Sequence, residues 1–194
     1  MKKIVLGSIF AAAVFSPVTV VSAAADTSVN VEESRALTKA LFKKLKGTLV
    51  TAMKEGGPAK AIAACNLQAQ PITNSMSSKR TGMNIKRTSL RLRNEKNAPD
   101  AWEIRVLEQF AARASAGEDI SHIEYHEVID QQKGQQLFRY MKAIPAQKPC
   151  MVCHGELIAP DVLRSIRKLY PLEQAIGFQP GDLRGAFSVT RELN

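Results

Sequence analysis

Two cysteines separated by two residues and followed at once by a histidine stand at Cys150, Cys153 and His154. No other segment constrains the chain so tightly, because each residue type answers a separate need of one chemistry. Two thiols at C-x-x-C spacing can add across the two vinyl groups of a single porphyrin, and the adjoining imidazole is then placed to bind the iron. A disulfide or half of a zinc site would use the same thiols. Zinc, however, needs a second Cys or His pair at ligand spacing, and the other candidates, Cys65, His122 and His126, are not paired in that way. The expectation is one covalently attached haem c, held by thioethers from Cys150 and Cys153, with His154 as the proximal iron ligand.

The start of the chain agrees with that chemistry. Lys2 and Lys3 precede an apolar run over residues 4–15, and the small residues Ser22, Ala23, Ala24 and Ala25 follow. This order predicts a cleaved signal peptide over residues 1–25 and a single domain over residues 26–194. The apolar run is short for a membrane span, and an uncleaved anchor is the alternative. Thioether attachment belongs to the compartment outside the cytoplasmic membrane, so leader and motif together point to the periplasm. Once Lys2 and Lys3 are removed, 25 basic residues face 18 acidic ones, a net charge of +7. With 6% aromatic residues and no nucleic-acid motif, that surplus points to an acidic redox partner or an anionic membrane surface and away from nucleic acid. An unspecialised solvated surface would account for it equally well.

Periodicity predicts an α+β domain. Leu37, Leu41, Leu45 and Leu49 recur every four residues and mark a helix over residues 31–54, which Gly56, Gly57 and Pro58 end. A second helix over residues 59–70 puts Ile62, Cys65, Ala69 and Ile72 on one inward stripe, and Pro71 kinks or ends it. Residues 82–92 alternate as a strand with Ile85, Arg87, Ser89 and Arg91 on one face. Pro99 suits the first turn of a helix whose apolar face carries Trp102, Ile104, Val106, Leu107, Phe110, Ala111 and Ala114. Strands over 120–130 and 135–144 flank a turn at Lys133 and Gly134, and after the motif come a helix over 161–169 and a strand over 184–191. This order is not the strict alternation of a doubly wound parallel sheet, so a mostly antiparallel sheet is expected. All-helical small cytochromes carry the motif near the N-terminus, unlike this chain.

Four blocks carry a closer likeness. They are Ala61 to Cys65; Arg87-Thr88-Ser89-Leu90-Arg91-Leu92-Arg93-Asn94 continuing through Asn97-Ala98-Pro99-Asp100-Ala101-Trp102-Glu103; the motif with Gly155; and Gly181-Asp182-Leu183-Arg184-Gly185-Ala186-Phe187-Ser188-Val189. In that order they resemble a family of single-haem, c-type, PAS-like domains, first catalogued as a domain of unknown function and typified by a cyanobacterial cytochrome. The likeness covers nearly all of residues 26–194. Glu95 departs from it, since Pro is expected after Arg-Asn, and leaves the haem chemistry untouched. The resemblance implies an antiparallel PAS-like sheet with long N-terminal helices. It also implies a haem bound by the motif histidine on one side and by a cysteine from an early helix on the other, which here are His154 and Cys65. Read from the residues alone, Cys65 is the thiol left over on a buried stripe and serves equally as a small core residue.

Other distal ligands compete on sequence. His122 and His126 share one face of a predicted strand with Glu124 between them, which suggests solvent. Met53, Met76, Met83, Met141 and Met151 read as core or turn residues, with Met141, just before the motif, the strongest rival. Arg87, Arg91 and Arg93 suit either a solvated strand face or the haem propionates. No acid–base or nucleophile constellation is recognisable, so no enzyme activity is expected. The reading is a periplasmic monohaem c-type cytochrome in electron transfer or redox sensing. Its rival is a haem-based gas or redox sensor module working through a separate signalling partner. The sequence has no kinase segment, which favours the free-standing carrier. A peroxidase would need an open distal position, which a bound Cys65 would close.

Overall fold

The leucine repeat does build a long N-terminal helix. The computed structural model describes residues 23–79 and 82–193; the expected leader lies outside them as far as residue 22. Helix α1 (Ala23–Lys79) is two helices joined at a break, where Gly56 is extended and Gly57 takes φ +64°, with Pro58 opening the second half. Gly57 supplies a backbone angle that other residues resist, and Pro58 fits a first helical turn, where its missing N–H has no helical partner to lose. The break falls where the sequence predicts it, but the second half runs through Pro71 to Lys79 instead of ending there. Pro71 removes a donor to the carbonyl of Leu67, and both residues are exposed, where water reaches that carbonyl.

The sheet is antiparallel throughout and orders its strands β1 (Met83–Thr88), β4 (Leu183–Leu193), β3 (Gln136–Pro145), β2 (Glu124–Asp130). Each face packs against one helix. Alternate residues Met83, Ile85, Phe138, Tyr140, Phe187 and Val189 meet Val31, Leu37 and Leu41 of α1. The opposite set, Met141, Ala143 and Ala186, meets Trp102, Val106, Leu107 and Phe110 of helix α2 (Ala101–Ser115) together with Ile120 and Ile123. The expected α+β, PAS-like antiparallel architecture is therefore what forms, with period-2 burial setting the register of both layers.

Several boundaries differ from those read in the sequence, each for a local reason. Strand β1 ends at Thr88 instead of residue 92, because the Ser89 hydroxyl accepts from the Arg91 N–H at 3.1 Å and donates to the Arg184 carbonyl at 2.8 Å, folding the chain into a turn. Arg91 is thus off the strand. Strand β2 starts at Glu124, since Ile120 and Ile123 ahead of it fill the α2 core from a turn. Pro99 precedes α2 instead of sitting in its first turn. Asp100 is the N-cap, its carboxylate accepting from the Glu103 N–H while Glu103 accepts from the Asp100 N–H, a closed capping box. The helix expected over 161–169 is α4 (Pro160–Leu169).

Gly185 shows where the sheet and the turn after β1 are closest. Its φ is +154°, and a Cβ there would lie 2.4 Å from the Thr88 carbonyl oxygen and 3.0 Å from Ser89 Cβ. Gly47, inside α1, has nothing within 4 Å of such a Cβ. The two positions predict opposite signs. Gly185→Ala should destabilise by about 1–3 kcal/mol through overpacking, while Gly47→Ala should stabilise by about 0.5–1 kcal/mol through helix propensity. Denaturant unfolding of both variants reads this directly, and equal effects at the two sites would refute the close approach.

Candidate functional site

The segment that carries the two thiols is delivered by the end of β3. The register shifts at Ile144 and Pro145, and Ala146 is tied to the opposite loop by its N–H to the Asp182 carbonyl at 2.7 Å and by the Gly181 N–H to its own carbonyl at 2.8 Å. A 3-10 turn over Lys148–Cys150 then runs into the single helical turn α3 (Met151–His154). Cys150 and Met151 both have right-handed helical dihedrals, so the thiols of Cys150 and Cys153, three residues apart, lie on one face of the turn. Gly155 ends it: a Cβ there would stand 2.7 Å from the Met151 carbonyl oxygen.

The histidine is fixed from behind by a strap of residues 173–178. Phe178 N–H donates to the His154 carbonyl and Gly177 N–H to the Gly155 carbonyl, both at 2.9 Å. His154 Nδ1 lies 2.7 Å from the Ala175 carbonyl oxygen. A carbonyl only accepts, so Nδ1 carries the proton and Nε2 keeps its lone pair. Burial, followed by the charges of Arg184, Arg93 and Arg87, pushes the imidazole down to about 3, which leaves it neutral and able to bind a metal. The ring edge of Phe178 packs against it at 6.3 Å between centroids.

Arginines from the turn after β1 hold the strap. Arg93 donates to the Cys153 carbonyl at 2.5 Å and the Ala175 carbonyl at 3.0 Å, and pairs with Glu173 at 3.2 Å; the Glu173 side chain is only 4% exposed. Arg91 donates to the carbonyls of Ile176 and Gln174 and lies over the Phe178 ring, 4.1 Å from its centroid. Arg184, at the start of β4, is 5.2 Å from the same centroid and donates to Ser89 Oγ and the Arg91 carbonyl at 3.2 and 3.3 Å.

Cys65 comes to the same place from α1. Ile62, one turn earlier, packs with Val162, Ile166 and Tyr170 in a cluster that Cys153 also touches. Burial raises the Cys65 thiol while Arg87 and Arg93 act to lower it, and burial likewise raises Cys153, with a smaller contribution from Cys65. All three cysteines are free, and Cys65 is half-buried, less enclosed than its stripe suggests. The rival ligands lie elsewhere. Met141 is wholly buried in the α2 layer, His122 sits in a turn ahead of β2 with its side chain 81% exposed, and His126 is exposed on β2, so the two histidines do not share a strand face. A cleft of about 430 Å³ between α2 and the turn that enters β4 shares Arg91 and Phe178 with the site, but no cysteine or histidine lines it. Among the described residues no three of His, Cys, Asp and Glu gather as a cage for a bare ion.

Sequence reading missed Glu173, Ala175, Phe178 and Arg184. Three of these act through a carbonyl, a ring face or an ion pair that only the tertiary fold creates; Arg184 lay within a quoted block with no role assigned.

The family model described as Tll0287-like matches residues 18–191. The crystal structure of the cyanobacterial heme-protein Tll0287 matches at TM-score 0.54 and 22% identity, over 81% of this chain and 94% of that one. No curated protein matches.

The strap gives a mutational expectation. Arg93→Ala leaves the Glu173 carboxylate buried without its cation and releases two carbonyls, so it should cost about 3–5 kcal/mol. Arg164→Ala, on the exposed side of α4, should stay within about 0.5 kcal/mol. Urea unfolding of the two variants decides it; an Arg93→Ala midpoint equal to that of Arg164→Ala would mean that the strap does not depend on Arg93.

Proposed function

The chain belongs to the Tll0287-like family, and we propose that it is a periplasmic monohaem c-type cytochrome that carries electrons or reports redox state and turns over no substrate. The observation that carries this reading is the His154 imidazole, neutral and turned by the Ala175 carbonyl so that Nε2 is free, directly after two thiols on one face of a helical turn. That donor set fits haem. Cys150 and Cys153 would hold it through thioethers, His154 would be the proximal ligand and Cys65 the distal one. When bound, the haem supplies the one-electron iron couple.

The protein's own residues do the rest. The Ala175 carbonyl orients the imidazole and strengthens it as a donor. Burial raises the Cys65 thiol, with Arg87 and Arg93 opposing that rise; as an anionic ligand to the iron, its sulfur would stabilise the ferric state and give a low reduction potential. Export through the leader at residues 1–25 places attachment outside the cytoplasm. Lys39, Lys43, Lys44, Lys46 and Lys54 project from the exposed side of α1, and among the described residues none has a carboxylate partner. That face supports an acidic redox partner protein.

Absorption spectra of both oxidation states, with and without carbon monoxide, test the reading. The carrier should be six-coordinate and inert to the gas, whereas a rapid spectral change would favour a gas sensor acting through a separate partner. Cys65→Ser should remove a sulfur-to-iron charge-transfer band, raise the potential and admit carbon monoxide; an unchanged spectrum and potential would return Cys65 to the core. His154→Ala should lose the wild-type spectrum and much of the thermal stability of the holoprotein.

A further inference from the structure

The site is lined by more positive charge than the protein neutralises. Arg87, Arg91, Arg93 and Arg184 converge there: Arg184, Arg93 and Arg87 all act on His154, and Arg93, Arg87 and Arg91 all act on Arg184. Their partners split them into two pairs. Arg93 is committed to Glu173 and two carbonyls, and Arg91 to two carbonyls and the Phe178 ring. Arg184 has one hydroxyl, one carbonyl and the Phe178 ring face, no carboxylate, and a buried Nε without a hydrogen-bond partner. Among the described residues Arg87 makes no side-chain hydrogen bond or ion pair, and its Nε is buried too.

The register of β1 sharpens the anomaly. Met83 and Ile85 point into the α1-facing core, and Arg87 is the next residue on that face, where the alternation calls for an apolar side chain. A cation held in such a place without an anion costs several kcal/mol, far more than an exposed arginine would. Burial and the neighbouring arginines push Arg184 down to about 10. Glu173, the carboxylate paired in this cluster, is already taken by Arg93.

We propose that Arg87 and Arg184 form a clamp for carboxylates of the bound cofactor, the two haem propionates, while Arg91 and Arg93 hold the protein's own strap. This rests on the haem reading above and selects among its arginines. Guanidinium pairs with carboxylate through two parallel hydrogen bonds, which would satisfy the two orphaned Nε donors and offset the mutual repulsion of the cations.

The test uses holoprotein of the full chain, with intact mass establishing one attached haem in each sample. Arg87→Met, Arg184→Met and the double variant should lower the reduction potential, roughly a tenfold shift of the equilibrium toward ferric per charge removed, and should move the propionate bands in the resonance Raman spectrum. Arg164→Met should change neither. If the Met variants fail to fold, Arg87→Lys and Arg184→Lys keep the charge and should hold the potential near wild type while still moving those bands. Inorganic phosphate added to wild type should leave the potential unchanged; a phosphate-dependent potential would mean that the pair binds a free anion, and would overturn the clamp. Variants that carry haem with wild-type potential and bands would overturn it as well. Wild-type protein without haem would instead overturn the reading on which it rests.

Discussion

The hydrogen bond from His154 Nδ1 to the Ala175 carbonyl is the contact on which the rest of the site depends. It joins the turn that carries both thiols to the 173–178 strap, and Arg93 locks the two from the other side by donating to Cys153 and Ala175 at once. The imidazole is thereby oriented by the polypeptide itself. A ligand held by its second hydrogen bond and by packing needs little reorganisation when a metal arrives. Ala175 is fully buried with Ala146 and Phe178, so the carbonyl that sets this orientation is itself fixed by a small core of its own.

The two halves of α1 have different duties. The first half supplies Val31, Leu37 and Leu41 to the sheet; beyond the break at Gly56 and Gly57 the second carries Ile62 and Cys65 onto α4 and the motif turn. Positive charge is likewise sorted by depth. Of the arginines near His154, Arg87, Arg93 and Arg184 are half-buried and sit among carbonyls and one carboxylate, whereas Lys39, Lys43, Lys44, Lys46 and Lys54 of α1 face outward. An inner set of that kind suits a fixed anion in the site, and an outer set suits a partner that comes and goes, because exposed charges act over a Debye length and are weakened by salt.

How much of this was legible depended on whether the determining contacts were local. The thiol pair, the histidine and the break at Gly56-Gly57-Pro58 are encoded within a few residues, and the periodicities of α1 and α2 follow from one-sided burial. The end of β1 is different, because the Ser89 hydroxyl that turns the chain is held by the Arg184 carbonyl, 95 residues away. Sorting Arg87, Arg91 and Arg93 needed the same long-range knowledge. As residues on a predicted strand they look alike, and only the strap carbonyls of Gln174, Ile176 and Ala175 distinguish them. Pro71 stops a helix by its own chemistry, yet here exposure of Leu67 lets the helix continue.

The central claim is that the Cys150 and Cys153 turn, with His154 oriented beside it, is built for one covalently attached haem. Intact mass of the protein recovered from the periplasm tests this most directly. The account predicts the chain trimmed near Ala25 plus the mass of one haem, unchanged by denaturation. An apoprotein mass with a disulfide between Cys150 and Cys153 would contradict it.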